Sequence, residues 1–539
     1  MPIKVGHSLG TVMQRFRNLC AFLCVLLALA VAPSWAVEPG APEKLISQEE
    51  ALIFGVRLQL DRAPTPSGRI ARPNRIALAN FYASHNGPLL WVNASGLTER
   101  AKRLVREIRR AGEWGLKAAD FELPEIKSKA FNTTELVGAE LKMSVALIKY
   151  AQFARGGRME PRRLSKDFDR VPAPVQVDAL LRELLQSQEP EKVLRRQHPP
   201  HREFEQLRLA YLAALKSEAA GDAGSAPASV QQSQLKKPPP KLLTKNRASN
   251  RILYNMEMWR WMPRTLGAKY IQANVPEFKI RVIDGGRIAH EERIVVGKVA
   301  NKTPIFSDEL ELVVFHPFWN VPDSIKVKEI LPSLIRGGNV LEKQNLRMKY
   351  RGREINPYAV DWASTDIRKF HVYQPPSRRN ALGIVKFLFP NKHAIYFHDT
   401  PTKHLFKRKY RAYSHGCMRV RDPLKLAEVL LSADKGWRRS KIDSLVRNGP
   451  KNNEIRLDNK IPVHVTYFTA RADSNGTVRF LKDIYGHERR IALGLQGKFG
   501  ASADSETRLS QVRKRTVTAD RRSRRKRTDR SWRRRIYGN

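Results

Sequence analysis

Cysteine is scarce in this chain: 3 occur in 539 residues, and two of them, Cys20 and Cys24, fall in an apolar stretch near the start. Cys417 stands alone in the rest of the chain. A thiol without a partner forms no intramolecular disulfide, so stapling the fold is excluded as its purpose. Acidic residues are also few, 52 Asp and Glu against 98 Lys and Arg, for a formal net charge of +46. An excess of that size points to an anionic partner, and nucleic acid, acidic lipid and anionic wall polymer all have the required sign. The apolar run from Leu19 to Ala32 is shorter than the roughly 20 residues a membrane-spanning helix needs. Arg15 and Arg17 are not adjacent, which excludes a twin-arginine signal, and Phe22-Leu23 ahead of Cys24 lacks the small residues of a lipid-attachment site. His393, His398, His404, His415 and Cys417 are metal-ligand types, but they lack a Cys-x-x-Cys or His-Glu-x-x-His spacing. Neither a metal nor a cofactor is expected.

What is present divides the chain into segments of different character. Lys4, Arg15 and Arg17, the apolar run and Ser34-Trp35-Ala36 read as a secretory signal over residues 1–36, cut after Ala36. Contact with a membrane is expected only if that segment is retained. Residues 37–217 read as helical: Ser47-Gln48-Glu49-Glu50 has the form of a capping box, and Ala101, Leu104, Val105, Ile108 and Ala111 recur at helical spacing. Residues 218–250 are rich in Ala, Gly, Ser, Gln and Pro without periodicity, as a spacer would be.

Past the spacer the period changes to two. FKIRVIDGGRIAHEERIVVG reads as two strands around Asp284-Gly285-Gly286, and LELVVF, AIYFH and IPVHVTYF are further short β runs, with a helix starting at Asp422-Pro423. Residues 251–499 are therefore expected to be mostly β, with a polar insertion or lid at about 323–380. Residues 500–539 are a block of like charge that cannot bury apolar area and reads as a disordered basic tail. The fold class expected is α+β multidomain, an α-helical domain followed by a mostly β domain with an insertion.

Within AIYFHDTPTKHLFKRKYRAYSHGCMRV the chemistry collects around Cys417. A thiol needs a base or a positive field to become a nucleophile. On an extended segment His415, two residues away, projects to the same face, and His398, ending the AIYFH strand, faces Cys417 if the two strands pair. Gly416 lets the backbone approach a substrate, so the N–H groups of Gly416 and Cys417 are candidates for holding an oxyanion, and Arg419 for receiving a carboxylate.

SHGCMR, with HDT upstream at His398, resembles the signature of the L,D-transpeptidases, cysteine enzymes that cross-link bacterial peptidoglycan. NMEMWRWMP, VVGKVANKTPIFS, FHPFWNVP, NALGIVKFLFPN and DIYG, in that order, resemble the larger, lid-bearing branch of that family, and FYASHNGPLLWVNASGLTERA resembles its scaffold domain. The resemblance implies that Cys417 attacks the bond between diaminopimelate and D-alanine in a tetrapeptide stem, with His398 as base, His415 shaping the site, and Gly416 with Cys417 as oxyanion hole. Arg419, Ser414, Tyr396, Trp319 and Asn320 match substrate-binding positions. A thioester would then pass to an amine acceptor.

The small peptidoglycan-binding module common in that branch has no counterpart here, since its place holds the spacer. The basic tail is the expected substitute, through attraction to anionic envelope polymers. The partners expected are stem peptides and those polymers, in the periplasm or cell envelope. Secretion, and confinement of the densest basic run to the tail, argue against nucleic acid. An L,D-carboxypeptidase that trims stems with the same thiol, and a silent wall-binding protein, are the alternatives.

Overall fold

The computed structural model describes residues 47–61, 72–85, 87–125, 132–220, 248–473 and 475–498. The expected leader, nearly all of the spacer and the basic tail lie outside the described residues. Among the described residues no helix is long and apolar enough to cross a membrane. Contacts divide the chain into residues 1–51 and 52–539. In the first unit the Ser47 hydroxyl accepts from Glu50 N–H at 3.2 Å and the Glu50 carboxylate accepts from Ser47 N–H at 2.9 Å, closing the expected capping box.

The described residues ahead of the spacer are mainly helical: α1 (Gln48–Asp61), α2 (Arg72–Ser84), α3 (Glu99–Arg109), α4 (Thr133–Gly156), α5 (Val177–Gln186) and α6 (Arg202–Ala219). The stripe from Ala101 to Ala111 is buried, as its spacing requires, and joins Leu136, Leu147, Leu181 and Trp91 in one apolar core. Burial removes apolar area from water, and helical spacing puts that area on one face.

A second core fills the β region, and it does not stop at the spacer. Helix α7 (Ala248–Arg260) packs on α6, and Glu218 near the end of α6 accepts from the Ser249 hydroxyl at 2.8 Å. Met159, Phe168, Phe204 and Leu207, all ahead of the spacer, share this core with strand residues.

Nine strands form the main sheet: β1 (Lys269–Asn274), β2 (Lys279–Asp284), β3 (Arg287–Gly297), β4 (Ser307–Phe315), β5 (Val385–Leu388), β6 (Phe397–His398), β7 (Ala412–Ser414), β8 (Met418–Val420) and β9 (Asn453–Thr466). Their spatial order is β7-β3-β8-β6-β5-β4-β9-β1-β2, and β2 also pairs with β3, so the sheet closes on itself. Closure protects edges that an open sheet would expose. Asp422 caps the following helix, α8 (Pro423–Lys435), by accepting from Lys425 N–H at 3.0 Å.

Between β4 and β5 lies the insertion. It carries its own four-stranded sheet, in the order Trp319–Asn320, His371–Gln374, Arg347–Tyr350, Arg353–Glu354. It also has its own apolar core, which includes Val321, Ile330, Leu334, Met348, Trp362, Phe370 and Val372. Strands of two to four residues are too short to set up a visible alternation, which is why composition alone made this segment look merely polar.

Candidate active site

The thiol is placed by two short strands. β6 runs parallel to β8, with Phe397 opposite Met418 and His398 opposite Arg419. Because side chains alternate along a strand, Phe397 and Met418 go to the core, both fully buried, while His398 and Arg419 share the other face, and Tyr396 and Arg419 both act on the Cys417 thiol just ahead of β8. The pairing on which the role of His398 was conditional is present.

His398 is buried, and its ring lies edge-on to Tyr396 with centroids 5.6 Å apart. Its Nδ1 lies 2.5 Å from the Asp399 carbonyl oxygen. A carbonyl only accepts, so Nδ1 carries the proton and Nε2 is left with a free lone pair. Burial, and then the charge of Arg419, push the imidazole down to about 3, so it is neutral at physiological pH. Asp399 is held in turn by Ile384 N–H at 3.0 Å and by Lys403. Gly383, at φ +60°, has to be glycine because a Cβ there would sit 2.2 Å from Asp399 Oδ2.

Cys417 is partly exposed, with its S–H donating to the Ala394 carbonyl at 3.5 Å. Loss of water around the thiolate pushes the thiol up to about 11, opposed by the Tyr396 N–H and side chain, by Arg419 and by the N–H of Cys417 itself. The resting pair is therefore neutral thiol and neutral imidazole. Burial holds the Tyr396 hydroxyl well above its ordinary value; the sulfur of Cys417 adds to the rise and the side chain of Trp319, from the insertion, opposes it, so both act on that hydroxyl. Arg419 donates to Thr402 Oγ1 at 3.0 Å, and its buried Nε has no hydrogen-bond partner.

Four of the expected roles change on this geometry. The N–H of Gly416 is already given to Ser414 Oγ at 3.1 Å, so the donors that face the sulfur are those of Cys417 and Tyr396. Ser414 is 2 % exposed and donates to Cys417 O at 2.5 Å, which ties down the loop and leaves nothing for a substrate. Residues 415–417 are a bend between β7 and β8 with Gly416 at φ +128°, so strand alternation does not carry His415 onto the face of Cys417. The His415 ring lies instead 2.5 Å from Glu329 of the insertion and 3.2 Å from Lys298. Asn320 sits in the insertion sheet, accepting from His371 at 3.0 Å.

Ala394, Thr303 and Asp399 hold this arrangement; Thr303 and Asp399 lie within VVGKVANKTPIFS and HDT but no role was assigned to them, and Ala394 belongs to no family motif. Thr303 donates to the Gly416 carbonyl at 2.7 Å and accepts from Gly297 N–H at 2.9 Å. Among the described residues no group of three or more His, Cys, Asp and Glu side chains could hold a metal ion.

A partly exposed thiol in an SHGC bend, with a buried neutral imidazole on the strand paired beside it, meets an independent finding. Residues 268–465 match the family model of the L,D-transpeptidase catalytic domain. That segment of the chain is similar to L,D-transpeptidase catalytic domains. Residues 76–210 match the scaffold domain model. A curated Haemophilus influenzae protein, provisionally named as an L,D-transpeptidase, is 34% identical over 225 residues, 41% of this chain and 45% of that protein. The chain thus spans less than half the length of that relative. Among solved structures, an L,D-transpeptidase from Mycobacterium smegmatis is matched at 10% identity and TM-score 0.17 over 37% of this chain and 58% of that one. One from Enterococcus faecium is matched at 14% identity and TM-score 0.14 over 37% and 50%. Scores this low add nothing to the sequence match. The matched segment contains every residue placed around the thiol here, from Thr303 to Arg419.

Proposed function

We propose that the protein is a peptidoglycan L,D-transpeptidase acting through Cys417. The observation that carries the reading is the pairing of β6 with β8, which sets His398 opposite Arg419 beside the bend that ends in Cys417. As Sγ attacks the carbonyl of the diaminopimelate–D-alanine bond, its proton passes to Nε2 of His398, the ring nitrogen left with a free lone pair. The developing oxyanion is met by the N–H of Cys417 and by Tyr396, the donors that already point toward the sulfur. The imidazolium returns the proton to the leaving amine, D-alanine departs, and a thioester remains on Cys417. An amine from a second stem attacks it, giving a cross-link between two third-position residues and restoring the thiol.

Arg419 has no carboxylate partner among the described residues and stands two residues from the nucleophile, which suits it to a carboxylate of the stem. The setting we propose is the periplasm or cell envelope after loss of residues 1–36, with residues 500–539 attracted to anionic envelope polymers. Deletion of 500–539 should then weaken binding to isolated walls at low salt. Incubation with a disaccharide tetrapeptide tests the main reading by product mass. A cross-linked dimer with release of D-alanine supports it, a tripeptide alone assigns trimming, and unchanged substrate rejects both.

A further inference from the structure

A short segment of the helical region, Ser165–Arg170 (SKDFDR), lies between α4 and α5 and enters the β region as a wedge. Phe168 pairs with Ile305 as a parallel bridge: Asp169 N–H donates to Ile305 O at 2.8 Å and Ile305 N–H to Asp167 O at 2.7 Å. The Phe168 ring is fully buried against Trp261 and His487, at centroid distances of 5.3 and 4.5 Å. Arg170 donates to Ser307 Oγ at 2.6 Å and to the carbonyls of Phe306 and Val465.

The two loops that this wedge grips are the two that flank the thiol. One is residues 298–306, where Asp167 pairs with Lys302 at 3.3 Å and the next residue, Thr303, holds the Gly416 carbonyl. The other is residues 389–396. There the Asp169 carboxylate accepts from Lys392 and from His393 Nε2, each at 2.8 Å, with Arg162 on the same carboxylate at 2.6 Å. The residue after His393 is Ala394, at φ +53°, whose carbonyl accepts the Cys417 S–H. Tyr396, two further on, supplies the N–H and hydroxyl that face the sulfur.

We infer that Asp169 is a positioning residue for the nucleophile, supplied to the catalytic barrel by the helical region and acting through Lys392 and His393 on the loop that carries Ala394 and Tyr396. This deepens the proposed function and rests on it for the identity of the nucleophile. A part-buried carboxylate held by two cations, Arg162 and Lys392, and by the His393 ring holds a loop more firmly than an isolated surface pair would. Misplacement of a reacting group by a fraction of an ångström is enough to slow a reaction substantially.

The test compares wild type, Asp169→Ala, His393→Gln and, as a control, Asp178→Ala, which breaks only an exposed pair with Arg182 inside α5. Two rates are read on the full chain: iodoacetamide alkylation of Cys417, followed on the peptide that contains it so that Cys20 and Cys24 do not interfere, and D-alanine release from a tetrapeptide stem. Asp169→Ala and His393→Gln should each slow alkylation by about fivefold and lower kcat on the order of tenfold, with KM within about twofold, while the control matches wild type. The thermal midpoint should stay within about 3 °C, so that loss of fold does not explain the loss of rate. If Asp169→Ala fails to fold, His393→Gln decides. Wild-type alkylation in the folded variants overturns the inference. If the wild type releases no D-alanine the proposed function fails, and the alkylation rates still decide the role of Asp169.

Discussion

At the residue scale the site is defined by two protonation states that oppose the usual thiolate–imidazolium picture. Cys417 is raised to about 11 and His398 lowered to about 3, both chiefly by burial. Alkylation of Cys417 by iodoacetamide should therefore keep rising above pH 9 and show no plateau near neutrality. A plateau by pH 8 would mean that the thiolate is already formed at rest. His398→Ala should lower D-alanine release by on the order of 10²–10⁴, the range for a positioned base. Ser414→Ala deprives the Gly416 N–H of its acceptor and removes the bond to Cys417 O, and should cost about 1–3 kcal/mol in a urea titration. Cys417 and His398 were legible in the sequence because a thiol that can form no disulfide, set close to histidines, is suited to nucleophilic chemistry. The roles of Gly416, Ser414 and His415 were not, because a bend at positive φ breaks the alternation by which side chains are assigned to faces.

The elements divide by length in how well the sequence announced them. Helix α3, with a stripe repeating over three turns, and the β2–β3 hairpin, alternating on either side of Asp284-Gly285-Gly286, were legible because their periods run long enough to register, while β1 went unread. Strands β6, β7 and β8 have two or three residues each, and the pairing of β6 with β8 spans sequence and helical turns that no local pattern encodes. The insertion was read as a lid by its length, but its separate core depends on residues such as Trp362 and Val372 that meet only after folding. One consequence is that its link to the barrel is polar. Glu329 bonds His415, and Trp319 acts on the Tyr396 hydroxyl.

Over the whole molecule two cores carry the fold, and the second takes in side chains from both sides of the spacer. The first encloses a carboxylate. Glu140 is fully buried, accepting from Tyr82 OH at 2.6 Å and from the Leu90 and Trp91 N–H groups at 2.9 and 2.8 Å. Burial outweighs those donors and raises it from 4.5 to about 7. The folded state then keeps a proton that the unfolded state loses, so this group's contribution is full below pH 4.5 and falls away as pH rises toward 7. Glu140→Gln, which stays neutral, should flatten the dependence of urea stability on pH between about 5 and 7. An unchanged slope would locate that dependence elsewhere.

The account depends on Cys417 being the atom that takes the acyl group, and the mass of the intact protein reads this most directly. After incubation with a tetrapeptide stem, wild type should gain the mass of the stem less D-alanine, lost on treatment with hydroxylamine, and Cys417→Ala should gain nothing while keeping its thermal midpoint. An adduct of the same mass on the alanine variant would contradict the assignment.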